Sequence, residues 1–178
     1  MKKLHLGCGD KYLPGFIHID ARPGPRIDHV HDISNLDFLS NDSFDEIYAC
    51  HVLEHFKKFQ IIPVLKEWNR VLKKGGIIRL SVPSFEAIVE EYSKKRNLPQ
   101  LLGLLYGGQT YEYNFHYTIF DIESLTMTLK ECGFDNIKPY RWENFLPENY
   151  DDFSRAYLPH MDFKNGCQMS LNVTASKV

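Results

Sequence analysis

Lys3 to Leu6 opens the chain with a short run of alternating apolar and polar residues, which predicts a strand. Phe16-Ile17-His18-Ile19 repeats the pattern and ends on Asp20. Phe44 to Cys50 reads as a buried strand opened by the polar turn Ser40 to Ser43, and Gly76 to Val82 as another that Pro83 stops. Between those two, Gln60 to Lys74 carries Pro63 near its start and Leu65, Trp68, Val71 and Leu72 on one face, a sheet-covering helix with Gly75 as its C-cap. Ser84 is placed as N-cap of a helix running to Arg96, and Leu98 to Tyr106 forms a second apolar helix. Asp121 to Cys132 is an amphipathic helix with Ile122, Leu125 and Leu129 inward, and Phe134 to Trp142 and Gln168 to Ser176 read as a closing strand pair. Ile27 to Val30 is expected as a short edge strand.

The first two strands flank Gly7-Cys8-Gly9, a turn whose glycines can take positive φ and would let backbone N–H groups come close to a ligand. Asp20, at the end of the second strand, is placed to accept hydrogen bonds from a pair of ribose hydroxyls. A glycine turn followed by such an acid points to a nucleoside cofactor. Pro14 and Gly15 break the short stretch between them, so any first helix shrinks to a turn. Tyr12 stands where a dinucleotide fingerprint wants its last glycine, which argues against a nicotinamide dehydrogenase.

LHLGCGD, IHID, HDI at Asp32, FDEIYACHVLEH and EWNRVLKKGGIIRLSVPS together resemble, in order and spacing, the motifs of class I S-adenosylmethionine-dependent methyltransferases, most clearly from Leu4 to Ser84. The resemblance implies an α/β, Rossmann-like fold: a mostly parallel seven-stranded sheet, helices on both faces and an antiparallel last strand. It implies one domain over residues 1–178, with a small cap from about 84 to 120 and a long loop at about 143 to 167. S-adenosyl-L-methionine would then lie across Gly7, Cys8, Gly9 and Asp20, with Asp32 and Ile33 at its adenine and Cys50 and His51 near its methionine moiety. Two positions depart from the family pattern. His5 stands where an acid is frequent, and Lys11 where a third glycine is.

The function this implies is methyl transfer to an oxygen or nitrogen of a small molecule or sugar, with a non-catalytic nucleoside-binding or partner-binding domain as the alternative. An oxygen acceptor needs a base, and His55 and His116 are the candidates because imidazole titrates near neutrality. By the resemblance, His116 lies opposite the methyl group, within an aromatic loop that includes Tyr111, Tyr113, Phe115 and Tyr117. These rings either stack on a planar substrate or fill a thin cap. HVLEH also matches the H-x-x-E-H zinc motif of the inverzincin peptidases, which makes a zinc peptidase the remote alternative. His51 and His55, expected on a short helix at the cofactor rim, show no third ligand along the sequence, so no stoichiometric metal is expected. His18, His29, His31 and Asp28 alternate along strand-like segments and read as structural.

Composition narrows the partners. A chain of 178 residues with 43% apolar content buries one sizeable core, and a net charge of −2 provides nothing to steer it toward nucleic acid or an anionic membrane. Four widely spaced cysteines without a C-x-x-C pair read as free thiols in a reducing compartment. No apolar run reaches the length of a signal-peptide core or a membrane span, so a cytoplasmic setting is expected. The sequence leaves the oligomeric state open.

Overall fold

The computed structural model describes residues 1–178 and resolves the apolar runs into one twisted sheet. Its strands are β1 (Lys3–Leu6), β2 (Ile17–Asp20), β3 (His29–Val30), β4 (Phe44–Cys50), β5 (Leu72–Pro83), β6 (Phe134–Pro139) and, after a small separate ladder of β7 (Tyr157–Leu158) and β8 (Cys167–Gln168), β9 (Ser170–Lys177). The order across the sheet is β3-β2-β1-β4-β5-β9-β6. The first five strands pair in parallel, and β9 enters antiparallel between β5 and β6. Because the parallel strands all run the same way, Leu6, Asp20 and Cys50 end at one edge of the sheet. In such open sheets that edge is where ligands bind.

Both faces of the central strands are covered, so β4 is buried without a break from Glu46 to Ala49. Helix α1 (Ile61–Val71) lays Val64, Leu65, Trp68 and Val71 onto one face. Trp68 is fully buried and donates its indole N–H to the Ile33 carbonyl at 2.8 Å, fixing the loop after β3 against this helix. Arg70 and Glu67 pin the same loop: Arg70 donates to the carbonyls of Leu36 and Leu39, and Glu67 accepts from Leu36 N–H. Helix α4 (Ile122–Glu131) starts at Asp121, whose carboxylate accepts from Ser124 N–H while the Ser124 hydroxyl meets Asp121 N–H. Helix α2 (Phe85–Lys95) is capped by the Ser84 hydroxyl and packs with α3 (Leu98–Tyr106) through Ile88, Leu101 and Met169.

The helix expected to run to Lys74 ends instead at Val71, and Gly75 lies inside β5 rather than capping a helix. Leu72 is already extended and pairs with Phe44, and the next ladder pair is Glu46 with Ile77. Lys73-Lys74-Gly75-Gly76 is therefore a bulge, held by Lys73 Nζ on Asp45 Oδ1 at 2.7 Å. Pairing with β4 overrode a local cap signal. No helix forms between β1 and β2, in line with the Pro14-Gly15 break. The stretch expected as a plain loop from about 143 to 167 contains single helical turns at Trp142–Asn144 and Phe153–Arg155 and the strand β7. It folds back over the sheet edge because Asp152, buried, accepts a 2.5 Å hydrogen bond from the Tyr48 hydroxyl of β4. No helix is long and apolar enough to cross a membrane.

Candidate cofactor and acceptor site

The turn after β1 is shaped by packing from beneath. Gly7 takes φ +62, and a Cβ there would come within 2.5 Å of Val52 Cγ2. Gly7 N–H donates to Ile19 carbonyl and Gly9 N–H to Asp20 Oδ2, at 2.8 and 2.7 Å. These two donors therefore face the protein, which differs from the sequence expectation that they meet a ligand. What the glycines contribute is a close, side-chain-free approach. Asp20 accepts a second backbone bond at Oδ1 from Arg22 N–H at 2.9 Å and is 8% exposed. A carboxylate has about four acceptor positions, so Asp20 is held rigidly and keeps acceptor capacity on both oxygens. Burial, and then the neighbouring Asp20 charge, pushes the Cys8 thiol up to about 12, so Cys8 is a neutral wall residue.

Along the same sheet edge, Asp32 Oδ1 caps its own turn by accepting from Ser34 N–H at 2.8 Å, which leaves its other oxygen free of that bond. Burial also raises the Cys50 thiol well above its usual value, which rules it out as a ready nucleophile. His5, at the position where the family often has an acid, is buried among Phe16, His18 and Tyr48, and burial drives its pKa down to about 3. It is a neutral packing residue.

One cavity of about 860 Å³ brings these positions together: Gly7, Cys8, Gly9, Asp20, Asp32, Ile33, Cys50 and His51 all line it, and so do His55 and His116. The volume lies in the usual range for small-molecule and cofactor sites, roughly 300–1,000 Å³. The aromatic loop is sorted by the fold, since Tyr111, Tyr113 and His116 line the cavity whereas Phe115 and Tyr117 do not. Arg22 stacks over Tyr111 at 4.5 Å and links the rim after β2 to that loop. Sequence reasoning left the segment from Asp151 to Arg155 without a role, yet it forms part of the cavity wall. Its signal is the Asp152–Tyr48 bond, between residues 104 positions apart, which no local pattern reveals.

Among the lining histidines lies Glu54. It is fully buried, and neither carboxylate oxygen has a hydrogen-bond partner. His51 and His55 do not share a helix as expected; a single turn spans Leu53–His55, and His51 precedes it at φ +51. Three imidazoles surround Glu54, two from this segment and the third, His116, from the later loop. His51 Nδ1 lies 3.3 Å from Glu54 Oε1, in a geometry that misses a hydrogen bond, and His116 Nε2 lies 3.9 Å away. His55 Nδ1 bonds the Phe115 carbonyl at 3.0 Å and His116 Nδ1 the Leu104 carbonyl at 2.9 Å. Since carbonyls only accept, both Nδ1 atoms carry protons, and in the neutral rings both Nε2 atoms present lone pairs. Burial would raise the Glu54 carboxyl, but the charges of the imidazoles, His51 foremost, hold it below its usual value. Burial lowers His116.

Residues 14–80 match the model of the methyltransferase domain family. No curated protein matches the chain. Among solved structures, the CurJ carbon methyltransferase superposes with a TM-score of 0.62 at 13% identity, covering 100% of this chain and 48% of that one. A 1,6-didemethyltoxoflavin-N1-methyltransferase of Burkholderia thailandensis, solved with its substrate and S-adenosylhomocysteine, gives 0.61 at 16% identity over 99% of this chain and 71% of that one. A SAM-dependent methyltransferase of Archaeoglobus fulgidus gives 0.59 at 15%, with 99% and 86% covered. The chain thus spans about half the length of the CurJ enzyme and most of the length of the other two. The chain thus has the fold of these methyltransferases, and its match to the methyltransferase domain family lies in residues 14–80.

Proposed function

We propose that the chain binds S-adenosyl-L-methionine and transfers its methyl group to an oxygen or nitrogen of a small molecule or sugar. The observation that carries this reading is the shared cavity, lined both by the glycine turn and the buried Asp20 carboxylate and by His51, His55 and His116. The residues suit the nucleoside: Asp20 is fixed by two backbone donors and retains acceptor capacity, and Gly9 borders the cavity without a side chain.

In this reading Asp20 accepts from the ribose hydroxyls, while the free oxygen of Asp32 and the backbone of Ile33 meet the adenine edge. Cys50 and His51, at the end of β4, border the methionine moiety. The bound cofactor supplies an already activated sulfonium methyl. What remains for the protein is alignment, which can contribute up to about 7–11 kcal/mol, and removal of a proton when the acceptor is a hydroxyl. His55 and His116 meet that need through their Nε2 lone pairs. Residues 84–120 act as the cap that excludes water, and the four unpaired thiols suit a reducing, cytoplasmic setting.

The test is mass spectrometry of the purified protein for carried-through adenosylhomocysteine, followed by calorimetric titration of that ligand. Micromolar binding is expected. A protein that neither carries nor binds it would overturn the reading, and binding without any turnover across an acceptor panel would replace it with a non-catalytic nucleoside-binding role.

A further inference from the structure

We infer that Glu54, His55 and His116 form a binding site for a divalent first-row transition-metal ion at the wall of the cavity. One ligand atom from each of the three residues lies within 4.8 Å of the others, across a sequence separation of about sixty residues. Along the sequence His51 and His55 lack a third ligand, the reason no metal is expected there, and the fold removes that reason by bringing His116 to the cluster.

Three independent features point to a cation rather than to packing. Glu54 is fully buried with no donor on either oxygen. An ionised carboxylate removed from water without a hydrogen bond is costly; the surrounding imidazoles balance it only when they are protonated, and a metal ion would supply that positive charge in their place. Next, the nearest polar atoms do not supply donors when the imidazoles are neutral. His55 and His116 each commit Nδ1–H to a backbone carbonyl, which turns the Nε2 lone pairs inward. That is the tautomer and the outer-shell hydrogen bond found for metal-bound histidine, where the carbonyl fixes the ring and raises its basicity. His51 repeats the pattern with the nitrogens exchanged: the Ser170 hydroxyl donates to the Phe153 carbonyl and so accepts from His51 Nε2–H, leaving the Nδ1 lone pair toward Glu54.

The third feature is access. Glu54 lies behind the wall, but His51, His55 and His116 reach the cavity surface, so an ion among them keeps coordination positions open to a small molecule. Two imidazole nitrogens and one carboxylate oxygen suit zinc, iron, cobalt or manganese more than magnesium or calcium, which favour all-oxygen shells. Metal–ligand bonds of about 2.0–2.2 Å need donors about 3–3.5 Å apart, so binding draws the His116 and Glu54 atoms, now 3.9 Å apart, inward by side-chain rotation. Resting on the methyltransferase reading for this last step only, the open positions face the acceptor, where an oxygen ligand would lose its proton more readily. With the ion bound, the Nε2 atoms coordinate it and no longer serve as free bases.

The experiment uses the full chain, stripped with chelator and dialysed against zinc or cobalt(II) near neutral pH. One equivalent per chain, visible d–d absorption of the cobalt form and a metal-dependent rise in Tm are expected for the wild type. Glu54→Gln and His116→Ala should each weaken binding at least 100-fold, while His29→Ala, on the far edge strand, should retain it. If Glu54→Gln does not fold, His55→Ala and His116→Gln provide the same comparison. A wild-type protein that releases all its metal on dialysis, or a Glu54→Gln/His116→Ala double variant that keeps one equivalent, overturns the site. Titration of adenosylhomocysteine into the chelator-stripped protein separates the two readings: nucleoside binding without metal binding removes only the metal site, and the reverse removes only the cofactor assignment.

Discussion

Gly9 donates its backbone N–H to Oδ2 of Asp20 at 2.7 Å, so the turn after β1 and the last residue of β2 are one hydrogen-bonded unit. Asp20 therefore both shapes the cavity and is the expected ribose acceptor. Asp20→Ala should lose the ribose bonds, each on the order of 1.5–3 kcal/mol for a charged acceptor, and also free the Gly9 and Arg22 amides. Calorimetric titration should show adenosylhomocysteine affinity reduced by at least tenfold, with a smaller loss for Asp20→Asn, which keeps one oxygen acceptor. Equal affinity in wild type and Asp20→Ala would sink the assignment.

Gly7 tests the shape of the turn without touching a charge. An alanine there meets both a left-handed backbone, costing about 1–2 kcal/mol, and Val52 Cγ2 at 2.5 Å. Denaturant unfolding should show Gly7→Ala destabilised by about 2–4 kcal/mol. Adding Val52→Ala should recover part of this, with a coupling energy of about 1 kcal/mol or more. Simple additivity of the two changes would mean that Val52 does not set the turn.

His116 is the residue whose removal separates chemistry from cofactor binding. His116→Ala should lower turnover of an oxygen acceptor by roughly 10²–10⁴ with adenosylhomocysteine affinity nearly unchanged. Retained turnover with a raised KM for the acceptor would make it a packing residue of the cap.

His5 carries a pH signature. Its folded pKa, about 3, is below the ordinary 6.5 because burial disfavours the imidazolium. The unfolded chain therefore binds the proton more readily. The stability that comes from keeping His5 neutral is whole above pH 6.5 and is lost as pH falls from 6.5 toward about 3, at a rate approaching ~1.4 kcal/mol per pH unit. Unfolding free energies measured between pH 7 and 5 should decline less steeply in His5→Leu than in wild type. Parallel profiles would show that the imidazole is solvated or partnered in solution.

Much of the frame was legible along the chain because it depends on neighbours a few residues apart. The Ser84 and Asp121 caps act over three residues, and the apolar runs of β1, β2 and β4 need only their own period. The glycine turn with Asp20 at its fixed distance was equally local. The end of α1 was not, since Gly75 is a cap signal until Leu72 pairs with Phe44 on another strand. Nor was the direction of the Gly7 and Gly9 amides, which is set by Ile19 and Asp20 on β2.

What only the tertiary structure decided is which polar groups end up together in the dark of the core. Asp152 meets Tyr48 and His116 meets Glu54 across long stretches of chain. The sequence determined that His55, Glu54 and His116 exist and that two of them leave the end of β4. It could not determine that Nδ1 of His55 and of His116 would each find a backbone carbonyl, at Phe115 and Leu104, and so turn their lone pairs toward a buried carboxylate. A side chain's protonation and direction follow from the partners that folding brings within about 3 Å, and those partners are distant in sequence.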